Sequence, residues 1–162
     1  MLDDTLVKTS SFKAIFENMI FLSTLLSLCS AQVLKGIIYI LNGRRRKKRE
    51  LVGVVVWRTG GMPSSHAAVV SSLCTSIAFK EGIASNLFVF SFWFALVVLR
   101  DAMGVRLSTG LLAKGLNNLG KQVSEKTELD FHPVKEIQGH TPIEVVIGGL
   151  LGIFIAAGLH LF

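Results

Sequence analysis

IFENMIFLSTLLSLCSAQVLKGIIYIL, residues 15–41, is followed almost at once by six consecutive cations, Arg44, Arg45, Arg46, Lys47, Lys48 and Arg49. The apolar run exceeds the roughly 20 residues that a helix needs to cross a bilayer. A short loop this rich in arginine and lysine stays on the cytoplasmic side. Together they predict an all-α integral membrane helical bundle. Composition agrees: 51% of the 162 residues are hydrophobic and 17% are charged, below the roughly 25% typical of soluble proteins. The formal net charge of +6 is mostly this hexamer. Between membrane segments it points to anionic lipid headgroups and to no nucleic-acid partner. Cys29 and Cys74 lie in separate apolar stretches without metal-ligand spacing and read as small packing residues.

Outward from that stretch, Leu51 to Trp57 is apolar but too short to span. Ser64 to Phe79 is a short second segment, closed by Lys80 and Glu81. Leu87 to Leu99 is the third, closed by Arg100 and Asp101. Val105 to Gly139 is the longest hydrophilic stretch, with a helix expected near Leu107 to Leu119 and a polar, mobile-looking segment after it. Thr141 to Phe162 is the last span; Gly148, Gly149, Gly152 and Gly158 favour close helix contacts there, within the chain or in a homo-oligomer. The expectation is one domain over 1–162 with a polar tail over 1–13, about four transmembrane helices and one long cytoplasmic loop. Span parity then gathers residues 60–66, 101–106 and 140 at the cytoplasmic face of a cell membrane.

Those residues carry the chemistry. Arg58-Thr59-Gly60-Gly61-Met62-Pro63-Ser64-Ser65-His66 opens an apolar helix. Glycines let backbone approach a ligand, Pro63 suits a first helical turn, and Ser64 or Ser65 can cap it. The amides of a helix start bind anions, so the run reads as a phosphate cradle made by Gly61, Ser64 and Ser65. His140 and Glu144, four apart, share a helix face, where a carboxylate can fix the imidazole tautomer. His140 and His66 can then face one phosphate from opposite sides, one attacking phosphorus and the other protonating the leaving oxygen. The alternative for the His140–Glu144 pair is a helix cap. Lys35, with Gln32 on the same face, is either a phosphate ligand or a side chain snorkelling to the interface. Arg58 and Arg106 suit bidentate phosphate contact. Asp101 then positions a basic group, or else pairs with Arg106 as an interfacial ion pair. Lys114, Asn117 and Asn118 lie on the loop helix, where they can line the site. No metal and no cofactor are expected, since the histidines lack ligand spacing.

The combination Ala31-Gln32-x-x-Lys35, Gly60 to His66, Asp101-Ala102-x-Gly104-Val105-Arg106, Leu116-Asn117 and Gly139-His140-Thr141-Pro142-x-Glu144 resembles the type 2 phosphatidic acid phosphatase and vanadium haloperoxidase superfamily, in its small divergent membrane branch. The resemblance covers about Ala31 to Gly152. It implies a metal-independent phosphatase with a phosphohistidine intermediate, His140 as nucleophile, Glu144 as its orienting acid and His66 as acid–base group. Ser65 stands where the superfamily motif has glycine, and Glu144 where it has aspartate. The implied partners are membrane lipids and a lipid phosphate substrate. The rival expectations are a non-catalytic protein that binds phosphate or lipid headgroups, and a small transport or assembly subunit.

Overall fold

The computed structural model describes residues 13–41, 61–127, 129–136 and 139–162. The basic hexamer, the 51–57 segment and Arg58 lie outside the described residues. Among the described residues five helices of more than two turns follow in order: α1 (Met19–Leu41), α2 (Ser65–Glu81), α3 (Asn86–Met103), α4 (Val105–Lys126) and α5 (Pro142–Leu161). Among the described residues there is no strand.

The bundle is organised around α2. Along α1 the buried residues Ser23, Ser27, Ala31 and Lys35 recur every fourth position, which places them on one face. Along α2, Ala68, Ser72 and Ser76 do the same. The Ser23 and Ser76 hydroxyls meet at 2.5 Å at one end of this pair. At the other end the aliphatic stem of Lys35 lies beside Gly61. The two helices therefore run antiparallel from Ser23–Ser76 to the start of α2. On α5 the buried positions are Val145, Gly148, Gly152 and Ala156. A Cβ at Gly148 would collide with the backbone of Ser64, and one at Gly152 with the backbone of Ala68 and Ser72. Thus α5 runs parallel to α2 with the two backbones nearly touching. Small residues at a four-residue spacing are what such close packing requires, since between helices in lipid it is van der Waals contact that binds.

The all-α membrane bundle expected from the sequence is what the structure shows, with α2 as its inner helix. Among the described residues three stretches are by themselves long and apolar enough to cross: α1, the continuous Asn86–Lys126 run whose apolar half is α3, and α5. At 17 residues and with five serine or threonine side chains, α2 does not qualify. The reason is its position. It packs on α1, α3 and α5, so protein rather than lipid surrounds it, and its polar groups need no apolar cover. The lipid-facing residues are elsewhere, for example Phe90, Trp93 and Val97 on α3 and Phe154 on α5, all exposed.

The hydrophilic stretch is also more regular than its composition predicts. α4 continues to Lys126, past the expected end near Leu119. The chain then folds back over residues 129–136, which form neither helix nor strand. Phe131 packs its ring against Gly120, where a Cβ would overlap it. Asn117 fixes the segment further along. Its side chain accepts from the Val134 amide and donates to the Val134 carbonyl, each at 2.9 Å.

Candidate functional site

Local sequence explains why α2 and α5 both begin at the same end of the bundle with a histidine attached. Gly61 has a φ of +90°, a conformation that side chains other than glycine rarely adopt. It turns the chain into Pro63, which lies before the helix rather than in its first turn. Ser64 is the cap, its hydroxyl accepting from the Ala67 amide at 3.4 Å. α2 then starts at Ser65, and the amides of Ser65 and His66 have no partner within the helix. The α5 start is a capping box: Thr141 caps, Pro142 occupies the first turn, and Glu144 reaches back to the Thr141 amide at 3.0 Å.

The same Glu144 oxygen, Oε2, lies 3.2 Å from Nδ1 of His140. The helix cap and the contact to the His140 ring, the two alternatives for Glu144, occur together. A carboxylate of this reach is needed to serve both the Thr141 amide and the His140 ring. With Nδ1 donating to Glu144, Nε2 of His140 carries the free lone pair. His140 is only 3% exposed. Its backbone amide bonds to the Ala102 carbonyl at the end of α3. The preceding Gly139 lies so close to the backbone of Arg106 and Leu107 that no side chain fits there. The Ser64 amide in turn bonds to the Glu144 carbonyl at 3.0 Å, joining the two helix starts directly. The outcome is a histidine pair. The rings of His66 and His140 stand 6.1 Å apart between centroids at 64° to each other. His66 is exposed, so the pair has one open side.

Cations surround the pair. Lys35 is 5% exposed, which excludes snorkelling, and it acts electrostatically on His66, His140 and Glu144. Gln32, one turn away, has its Oε1 buried without a partner among the described residues. Arg106 lies near both histidines. Asp101 accepts from Arg106 Nε at 2.8 Å, and among the described residues the terminal amines of the guanidinium have no partner. The ion pair thus holds an arginine at the site. Burial pushes His140 below the ordinary imidazole range; its hydrogen bond to Glu144 opposes this, and Lys35 and Arg106 add to it.

Of the sequence candidates, the structure gathers His66, His140, Glu144, Lys35, Gln32, Gly61, Ser64, Ser65, Asp101 and Arg106 at one end of the bundle. It sets Asn117 apart, on α4, where it bonds the returning segment at Val134 and Glu136. Beside the histidines a cavity of about 260 Å³ opens between Gly61, Gly139 and Glu144 on one side and α4 on the other. Lys114 and Glu136 lie in its wall. Glu136 carried no sequence signal, because only the folding back of residues 129–136 brings it there. Among the described residues no three His, Cys, Asp or Glu side chains cluster as metal ligands would.

Known proteins agree with this picture at the level of family. Residues 16–155 match the model of the divergent PAP2 family. The chain is also 36% identical over 159 residues to the uncharacterized membrane protein YuiD of Bacillus subtilis (strain 168), covering 91% of this chain and 98% of that one. No solved structure matches it. With a family match over most of its length and a full-length membrane relative, the chain belongs to the divergent PAP2 family of membrane proteins.

Proposed function

We propose that the protein is a membrane phosphatase that hydrolyses a lipid phosphate through a phosphohistidine, at the cytoplasmic face and without a metal. The observation that carries this reading is the buried His140, bonded through Nδ1 to Glu144 and facing His66. Nε2 of His140 attacks phosphorus, and His66 donates a proton to the departing alcohol oxygen. Water then attacks the phosphohistidine, with His66 accepting its proton, and inorganic phosphate leaves. Lys35, Arg106, Arg58 and the amides of Ser65 and His66 stabilise the equatorial oxygens, the usual role of cations and helix starts in phosphoryl transfer. The site stands at the mouth of a membrane bundle, so a lipid tail stays in the bilayer while its phosphate enters.

The direct test is turnover of lipid phosphates by the purified protein in the presence of a chelator. Acid-labile, base-stable phosphate should appear on His140 when the reaction is quenched. Binding of the same lipids with no turnover would favour a headgroup-binding protein instead.

The pH profile follows from the burial of His140. The neutral ring is the nucleophile, and burial keeps it neutral to lower pH. The acidic limb of kcat/KM should therefore lie below the ordinary imidazole value of about 6.5. Glu144 holds the pKa up. Glu144→Gln should move that limb to still lower pH while lowering the plateau by about 10²–10⁴-fold. A limb that moves upward in Glu144→Gln contradicts the assignment.

Sidedness rests on the basic hexamer and the parity of the spans. Ser85 caps α3, its hydroxyl accepting from the Phe88 amide at 3.1 Å, so the neighbouring exposed Ala84 is the better reporter for that turn. In a Cys29→Ala, Cys74→Ala background, an impermeant thiol reagent on intact cells should label Ala84→Cys and spare Gln122→Cys on α4. The reverse pattern would place the site outside the cell.

A further inference from the structure

Resting on that phosphomonoester chemistry, we propose that Lys114 and Glu136 form a subsite for the neutral, hydroxyl-bearing part of the leaving group, and that this subsite turns away a second anion. The cavity beside the histidine pair lies between α4 and the two helix starts, where a substrate held at the histidines can extend. Its volume of about 260 Å³ is several times the roughly 30 Å³ share of one water. Two apolar walls, Leu107 and Leu111, lead to two charged groups of opposite sign, Lys114 and Glu136. Among the described residues these two make no ion pair with each other. A donor and an acceptor left apart in one cavity are what a hydroxyl needs, since it accepts from an ammonium and donates to a carboxylate.

Glu136 is held in place. The Asn117 amide donates to its Oε1 at 2.9 Å while the same side chain clamps Val134. Asn117 and Lys114 are three apart on α4 and so share a face. Asn117 is therefore a positioning residue for the subsite rather than a ligand of the phosphate. The charge balance of the wall supplies the exclusion. Glu136 and Glu144 both line the cavity, and among its described lining residues the one cation is Lys114. A second phosphate entering there meets two carboxylates, whereas a hydroxyl meets no net repulsion.

Three substrates separate these effects for the purified full-length protein: lysophosphatidic acid, with a neutral leaving group and a free hydroxyl near the reacting phosphate; phosphatidic acid, with no hydroxyl there; and a prenyl diphosphate, with a second phosphate. Glu136→Gln should lower the kcat/KM ratio of the first to the second by about fivefold, the value of one hydrogen bond. It should also raise turnover of the diphosphate, a gain that misfolding cannot produce. Lys114→Met and Asn117→Ala should lower the same ratio. If the wild-type protein turns over none of the three, the phosphatase reading falls and the subsite with it. If the wild type is active but Glu136→Gln and Lys114→Met leave the ratios unchanged, the subsite alone is overturned.

Discussion

His140→Ala should reduce lipid phosphate turnover to the assay background, a loss on the order of 10⁶-fold in kcat, as removal of a covalent nucleophile does. The size follows from what the ring alone supplies. No other described side chain near His66 combines burial, a fixed tautomer and a free ring nitrogen. The cations and helix amides that remain can still bind phosphate, so His140→Ala should retain binding of vanadate or inorganic phosphate. This split matters. Loss of turnover with retained binding identifies a nucleophile, whereas loss of both identifies a broken fold. His140 is packed tightly, and its backbone rather than its ring bonds to Ala102. Substitution by alanine therefore leaves the α3–α5 junction tied. His140→Gln, close to the histidine in volume, is the second variant; it should be equally inactive. Full turnover in either would exclude the phosphohistidine route.

The site was readable in the sequence wherever its parts are close in the chain. His140 and Glu144 are four apart, and Thr141-Pro142-x-Glu144 spells its own helix start. Gly61 to His66 likewise spells a turn, a cap and a histidine. The convergence of these pieces at one end of the bundle followed from counting spans. It did so even though α2 is not apolar enough to be counted as a span on its own. The count worked because α2 runs beside α1 from Ser23–Ser76 to Lys35–Gly61, whatever its composition. What the sequence could not show is non-local. Asn117 read as a site residue from its neighbourhood on α4, but it bonds Val134 and Glu136, 17 and 19 residues away. The reach of α4 to Lys126 was hidden by its charges, of which Lys121 and Glu125 face each other at 4.0 Å one turn apart. Lys35 kept two readings because burial cannot be deduced for a lysine near a span end. Arg58 and the basic hexamer lie outside the described residues, and their roles rest on the sequence alone.

The glycines of α5 are equivalent in composition, yet the structure separates them sharply. Gly152→Val should prevent the bundle from closing. A Cβ at that position meets the backbone of Ala68 and Ser72 on α2, and backbone in mid-helix cannot step aside as a side chain can. Even Gly152→Ala should lower stability by about 1–3 kcal/mol through overpacking. Gly158 lies two turns further on the same helix, and a Cβ there meets nothing within 4 Å. Gly158→Ala should therefore leave thermal stability in detergent unchanged or slightly raised, because alanine favours helix more than glycine does. Gly149→Ala should fall between the two, since its nearest neighbour is the Ser71 hydroxyl at 3.2 Å. The consequence for chemistry is indirect but large. Gly148 and Gly152 set the separation of α2 and α5, and those helices carry His66 at one start and His140 just before the other. Any residue that wedges them apart stretches the 6.1 Å between the rings. Proton donation needs heavy atoms within roughly 3 Å of the leaving oxygen. Gly152→Ala should thus lose turnover beyond its loss of folded protein, even though it lies three turns from the site. Equal stability of Gly152→Ala and Gly158→Ala would show that α2 and α5 do not meet where the structure brings them together.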